Sequence, residues 1–323
     1  MSTIHQNKTQ HSSHQPSQDD IYSAQQAPVI SQAHAVLTQP ASVFDEYGAL
    51  REVAIAGERP LTLYLNKREI VTLMTLGAEP EALVLGYLRN QGMLSSLAQI
   101  QAIQVDWDVS AAVVVADNIG DELEEKLAHK TVTTGCGQGT QYGALMDDLE
   151  SIQLPVFSVK QSDIYQLLQA LNDYNDTYRS AGAVHGCALC AVNPTETQGA
   201  RAEVLAFSED VGRHNAVDTL AGKQWLASLD PSSETNTMHR EQMVFYTTGR
   251  LTSEMVIKVA RMGISVLLSR SGVTAMGLAL AKQLGIMLIA RAKGQHFLLY
   301  QGAERFDWDA PPPVRPQSGQ KKR

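Results

Sequence analysis

Cysteine is scarce in this 323-residue chain, which holds only Cys136, Cys187 and Cys190. So sparse and odd a count excludes a disulfide framework and fits a reducing compartment. No apolar run reaches the ~18 residues that a membrane-spanning helix requires. The opening stretch, MSTIHQNKTQHSSHQPSQDD, lacks the apolar core of a signal peptide. A cytoplasmic protein with no membrane contact is therefore expected. Positive charge is short as well: 26 Lys and Arg stand against 34 Asp and Glu, a net −8. That balance argues against nucleic acid as a partner, but leaves room for a local basic patch holding a phosphorylated ligand. What the chain does have is 44% hydrophobic residues, enough for one large or two modest globular domains.

Residues 1–44 are rich in Gln, Ser and His without periodicity, and are expected to form a disordered leader. Residues 45–129 read as a small α+β unit. Its expected strands are 51–56, a 61–65 and 69–73 hairpin turning at Asn66-Lys67, 100–105 and 111–115. Its expected helices open at Pro80, ending at Gly92, and run from Gly120 to about Leu127. Residues 130–145 are expected to be a flexible loop around Cys136, joining two structured regions. Residues 146–308 alternate helix and strand, which predicts an α/β sheet with helices on its faces. Residues 309–323 turn Pro-rich and then basic, a frayed tail.

Cys136 lies in the run Thr133-Thr134-Gly135-Cys136-Gly137-Gln138-Gly139-Thr140. Flanking glycines uncover the sulfur and let backbone N–H groups point toward it. An exposed thiolate stabilised by backbone dipoles suits nucleophilic sulfur chemistry. The plain alternative is a free cysteine in a surface turn, which runs against the preference of cysteine for apolar burial.

Three polar strand-to-helix turns follow: 209–218, 247–255 and 269–274. Helix N-termini attract anions. Arg213 and His214 add donors to the first turn, where Asp210 is expected to cap the helix. Gly249 allows close approach to a ligand in the second. Three such turns at the carboxyl edge of one sheet point to a phosphate- or nucleotide-type ligand rather than to ordinary loops. The pair Cys187 and Cys190 has C-x-x-C spacing. Within a strand, an odd separation sends the two side chains to opposite faces, which makes them core residues and not metal ligands. His185 shares the Cys187 face and can look toward the ligand edge. Arg291-Ala292-Lys293-Gly294-Gln295-His296 places positive charge around a glycine. Spacing alone leaves both a phosphate or purine contact and a solvated hairpin turn open there.

From about Glu46 to Tyr300 the chain resembles the formate dehydrogenase accessory sulfurtransferases, the FdhD family. The resemblance is carried by Thr134-Gly135-Cys136-Gly137, by EDVGRHNAVDTLAG at 209–222 and by GRLTSEMVIKVARMGISVLLSRSGVT at 249–274. It implies a cytidine-deaminase-like fold and a homodimer. It also implies that persulfide sulfur is taken from a cysteine desulfurase and passed to a molybdenum cofactor, which formate dehydrogenase requires. That cofactor, the bis(molybdopterin guanine dinucleotide) form, is a bound substrate, and no catalytic metal of the protein's own is implied. Cys136 falls on the persulfide cysteine. Arg291, Ala292, Lys293, Gly294, Gln295 and His296 fall on the cofactor-binding stretch, where Lys293 matches well. Some relatives carry proline, glycine and arginine where Gly294, Gln295 and His296 stand.

One departure concerns the C-G-x-C-G motif common in the family, whose second cysteine is Gly139 here. One cysteine can still carry a persulfide, but a disulfide within the motif is excluded. The alternative function is a non-catalytic, cofactor-binding assembly chaperone for a molybdenum or tungsten enzyme. A zinc-dependent nucleoside enzyme using His185, Cys187 and Cys190 is opposed by strand parity and by the missing P-C-x-x-C signature.

Overall fold

The computed structural model of the chain describes residues 27–119, 152–192, 202–229 and 242–311. Cys136 with its loop, the helix expected from Gly120, and residues 312–323 of the tail lie outside the described residues. The first described elements are β1 (Val29–Ile30), β2 (Thr38–Phe44), β3 (Leu50–Ala56), β4 (Arg59–Leu65), β5 (Arg68–Thr75), α1 (Pro80–Asn90), β6 (Ile100–Asp106) and β7 (Ala111–Ala116). Five of the strands form a sheet in the order β1-β6-β7-β4-β5, while β2 and β3 pair only with each other.

The β4–β5 hairpin turns at Asn66-Lys67 as the sequence predicts, with Asn66 left-handed at φ 54°. Leu61, Leu63, Leu65, Ile70 and Leu73 point inward and meet Leu83, Val84, Tyr87 and Leu88 of α1. Pro80 occupies the first turn of α1. The chain leaves that helix through Gly92 at φ 68°, a left-handed conformation that glycine adopts without penalty. One expectation needs correction. Residues 27–44 belong to the fold: β1 pairs in parallel with β6, and β2 pairs with β3.

The remaining elements are β8 (Val159–Lys160), α2 (Gln161–Ala170), α3 (Asp176–Ala181), β9 (His185–Val192), β10 (Ala202–Asp210), α4 (Arg213–Ala227), β11 (Met243–Thr247), α5 (Ser253–Arg261), β12 (Val266–Ser269), α6 (Ala275–Gln283), β13 (Met287–Lys293), β14 (His296–Gln301) and β15 (Phe306–Asp307). Six strands form a mixed sheet in the order β10-β9-β11-β12-β13-β14. The β11, β12 and β13 strands run parallel, β9 runs antiparallel to β10 and β11, and β14 runs antiparallel to β13. Apolar residues of α4, α5 and α6 cover one face, and α2 with Val159 and Phe306 covers the other. Both β11 and β12 are buried along their whole length, as strands covered on two faces must be.

The strand-parity expectation holds. Cys187 packs in the core under α4 and α5, and Cys190 in the core on the opposite face. Burial pushes the Cys187 thiol up to about 12, and the Cys190 thiol is raised for the same reason.

Helices α1 and α4 lock the two units together. A Cβ on Gly86 would lie 1.8 Å from the Asp218 carbonyl oxygen, and one on Gly222 would lie 1.9 Å from that of Ala82. Two glycines thus let the backbones touch. This crossing also buries charge: Lys258 Nζ lies 2.6 Å from Asp218 Oδ2, and Asn90 Nδ2 donates to Asp218 Oδ1 at 2.7 Å.

Candidate functional site

The parallel strands β11, β12 and β13 end on one edge of the six-stranded sheet. Because β9 runs the other way, its first residues, His185 and Gly186, reach the same edge. The three polar turns therefore do come together, and hydrogen bonds tie them. Thr248 N donates to Gly186 O at 2.9 Å, Arg270 N to Thr247 O at 3.0 Å, and Arg291 N to Ser271 O at 2.8 Å. Ser269 Oγ donates to Gly249 O at 2.7 Å and accepts from Ser271 N at 2.9 Å. Thr247 Oγ1 accepts from Gly249 N at 3.0 Å and from Cys187 Sγ at 3.3 Å. Gly249 is needed for space, since a Cβ there would come 2.9 Å from Cδ of Arg213. Arg213, Arg250, Arg270 and Arg291 all belong to this edge, which is where open α/β sheets bind ligands.

The turn into α4 differs from expectation in one respect. Gly212, not Asp210, is the N-cap, and no side chain caps the helix. Asp210 ends β10 instead and bridges the two units. Its Oδ2 accepts from Thr75 Oγ1 at 2.5 Å and from Leu76 N at 3.0 Å. Its Oδ1 accepts from Gly212 N at 3.0 Å and from Asn215 Nδ2 at 2.8 Å. Burial raises the Asp210 carboxyl above its ordinary range, against the pull of these bonds. The expected pairing of local cap and helix was overridden by a partner 135 residues away.

A cavity of about 280 Å³ opens beside this junction. Its walls come from both units: Glu58, Thr72, Leu73 and Met74 on one side, and His185 with residues 211–215 on the other. His185 is half-buried and held below its ordinary value, first by burial and then by the charges of Arg213 and Arg250. His214 is buried with Nε2 3.1 Å from Glu254 Oε2. Burial lowers its value too, and the Glu254 contact opposes that shift. Both rings thus favour the neutral form, in which an imidazole can either donate or accept a proton. No local sequence signal marks Glu58, Thr72 or Met74: Glu58 lies just before β4, Thr72 and Met74 lie on β5, and Met74 O accepts from Asn215 Nδ2 of α4 at 2.6 Å.

The segment Arg291 to His296 ends β13 and turns into β14. Arg291 is left-handed at φ 52°, Ala292 is buried, and Gly294 at φ 60° closes the hairpin in which Lys293 pairs with His296. Lys293, Gly294, Gln295 and His296 are exposed. Through the Arg291 N bond to Ser271 O the segment borders the edge where the polar turns meet, and it does not line the cavity. Among the described residues, no group of three or more His, Cys, Asp or Glu stands close enough to hold a metal ion. Among them too, no helix is long and apolar enough to cross a membrane.

These features define a mixed α/β protein whose six-stranded sheet gathers arginines and glycine-containing turns at one edge, with a cleft between two units. The family model for the FdhD/NarQ family matches residues 56–307, and the chain belongs to that family. A sulfur carrier protein FdhD from Geobacillus kaustophilus is 30% identical over 259 residues, covering 79% of this chain and 90% of that protein. The protein of the same name from Bacillus subtilis is 28% identical over 252 residues, covering 77% of this chain and 88% of that one. Among solved structures, a putative formate dehydrogenase accessory protein from Desulfotalea psychrophila superposes with a TM-score of 0.60 at 28% identity. The match covers 83% of this chain and 98% of that one.

Proposed function

We propose that this chain is a sulfur carrier serving a formate dehydrogenase. The observation that carries the reading is membership of the FdhD/NarQ family over residues 56–307, with relatives named sulfur carriers matched over most of their length. Cys136 is the acceptor in this reading. Its thiolate attacks the outer sulfur of a cysteine desulfurase persulfide; the new S–S bond forms on Cys136 and the desulfurase cysteine leaves as thiolate. The carried sulfur then passes to a molybdenum bis(molybdopterin guanine dinucleotide) cofactor, which is substrate here and not a resident group. Delivery as sulfide takes two electrons, from the metal or from a reducing thiol, and returns Cys136 as thiolate.

The ligand edge suits the nucleotide part of that substrate. Arg270 and Arg291, beside the glycine-containing turns, supply charge for phosphates. The stretch Arg291, Ala292, Lys293, Gly294, Gln295 and His296 supplies exposed donors next to them. The strand order, a hairpin of β9 and β10 followed by parallel β11, β12 and β13, supports a cytidine-deaminase-like sheet. We place the protein in the cytoplasm, as a homodimer, where its desulfurase and its client are met. The second reading, a cofactor-holding chaperone without sulfur transfer, is favoured by Gly139, which stands where the family motif commonly has its second cysteine.

The two readings separate in a strain lacking its own accessory protein. Restoration of formate dehydrogenase activity by the wild type but not by Cys136→Ala supports sulfur carriage. Full restoration by Cys136→Ala assigns the chaperone role.

A further inference from the structure

The β2–β3 hairpin stands apart from both sheets, and its two faces differ. Alternation puts Phe44, Leu50 and Glu52 on one face and Val43, Arg51, Val53 and Ile55 on the other. The first face is the barer: Phe44 is 75% exposed and Leu50 63%, against 38% for Val43 and Val53. Tyr47, at the tip, is 85% exposed. A two-stranded ribbon alone is marginal in water, and exposed apolar patches of this kind mark interfaces.

Charge narrows what can cover this face. Asp45 is held inside the tip, where its Oδ1 accepts from Tyr47 N and Ala49 N at 3.0 Å each and Arg51 Nε lies 2.6 Å from its Oδ2. Asp45 and Arg51 therefore cancel, and Glu46 and Glu52 leave the ribbon negative. Two identical ribbons repel. A cationic occupant fits: ammonium and guanidinium groups sit over aromatic rings and beside carboxylates, and their aliphatic stems cover apolar area. Of the segments outside the described residues, only 312–323 is basic, with Arg315, Lys321, Lys322 and Arg323 and no acid. Residues 1–26, 120–151 and 230–241 each hold more acids than Lys and Arg, and residues 193–201 balance Glu196 with Arg201.

Position agrees with charge. The chain approaches its last described residue, Pro311, along the start of α2, where Asp309 accepts from Ser162 N at 2.9 Å and from Ser162 Oγ at 2.7 Å. From there α2 leads to α3, and α3 packs against β3. The contour of that route is at most about 40 Å, counting helical and extended rises. Residues 310–323 include prolines at 311, 312, 313 and 316; Pro-rich chain extends at about 3.1 Å per residue, which gives a reach of roughly 43 Å.

We propose that the basic run Lys321-Lys322-Arg323 covers the Phe44–Leu50–Glu52 face of the β2–β3 arm in its own chain, with its cations on Glu46, Glu52 and the rings of Phe44 and Tyr47. The Pro-rich residues before it act as the spacer. Tethering keeps the run close at all times, so a contact too weak to hold a free peptide suffices. This inference goes beyond the sulfur-carrier reading and stands or falls without it.

The test is hydrogen exchange of residues 38–56 in the full chain, at low and at high salt. It compares wild type with Lys321→Glu/Lys322→Glu/Arg323→Glu, with Glu46→Lys/Glu52→Lys, and with the two sets combined. All substituted ribbon residues are exposed, and thermal melting checks that each core is intact. Either reversal alone should speed exchange of the arm amides by about 10-fold, as loss of a covering contact does. The combined variant should recover protection, and 1 M salt should remove it from the wild type, since screening is then complete within about 3 Å. Arm exchange that is unchanged by reversing residues 321–323 overturns the inference. Protection that is lost on dilution gives the face to a second copy, and protection that appears only when formate dehydrogenase is added gives it to the client; either result overturns the inference too.

Discussion

Replacing Gly86 by alanine sets helix propensity against packing, with opposite signs. Gly86 lies inside α1, and glycine-to-alanine in a helix interior ordinarily stabilises by about 1 kcal/mol. Here the new Cβ would meet the Asp218 carbonyl oxygen at 1.8 Å and Gly222 N at 2.6 Å. A normal carbon–oxygen contact is roughly 3.3 Å, so α1 and α4 must part by about 1.5 Å. Both atoms in the way are backbone and cannot rotate aside. Overpacking of this kind costs about 1–3 kcal/mol. Separation also stretches the bond from Asn90 to the Asp218 carboxylate, now 2.7 Å, and a hydrogen bond to a charged group contributes about 1.5–3 kcal/mol. Subtracting the helix gain leaves a net loss of roughly 1.5–5 kcal/mol. Urea unfolding monitored by circular dichroism reads this directly. Gly222→Ala should cost a similar amount, since its Cβ meets the Ala82 carbonyl oxygen at 1.9 Å. The double variant should cost less than the sum, because the second methyl enters space that the first has opened. A Gly86→Ala protein as stable as wild type, or more stable, would refute the glycine-mediated crossing.

Lys258→Met strands the buried Asp218 carboxylate and should lower stability by about 3–5 kcal/mol; adding Asp218→Asn should return part of the loss, and strict additivity in unfolding experiments would count against a coupled pair. The lowered values of His185 and His214 make the unfolded chain the stronger proton binder near pH 6.5. Their contribution is therefore whole above that value and fades as pH falls through it toward the folded-state values, by up to about 1.4 kcal/mol per pH unit for each ring. Asp210, raised by burial, acts in the opposite sense: its contribution is present at low pH and fades as pH rises. Melting between pH 7.5 and 5.5 should show stability falling with acid, more shallowly in His185→Gln/His214→Gln, and identical slopes would remove the histidines from the explanation. Guanosine diphosphate should raise the melting temperature by native-state binding, and Arg270→Ala should weaken that shift; no shift at millimolar nucleotide and no heat of binding would argue against a nucleotide at the ligand edge.

Much of the core was legible because its signals are local. Alternation of Leu61, Leu63 and Leu65 and the Asn66-Lys67 turn define a hairpin from a dozen residues. Odd spacing alone sends Cys187 and Cys190 to opposite faces. Polar turns after β10, β11 and β12 announce a shared edge once the strands are taken as parallel. The misses are long-range. Segment 27–44 hides because β1 has two residues and β2, TQPASVF, lacks a buried apolar face. Asp210 has the chemistry of a helix cap, but its partners Thr75 and Leu76 are remote in sequence. Gly86 and Gly222 each look like an ordinary helical glycine until the helices are laid together. Glu58, Thr72 and Met74 carry no mark of a cleft, which forms only where the β4–β5 hairpin meets the start of β9 and the first turn of α4.

Sulfur carriage on Cys136 is tested most directly by intact-protein mass after incubation with a cysteine desulfurase and cysteine. A gain of one sulfur atom on the wild type, reversed by a thiol reductant and missing from Cys136→Ala, is the predicted result. No gain on the wild type, or the same gain on Cys136→Ala, would contradict it.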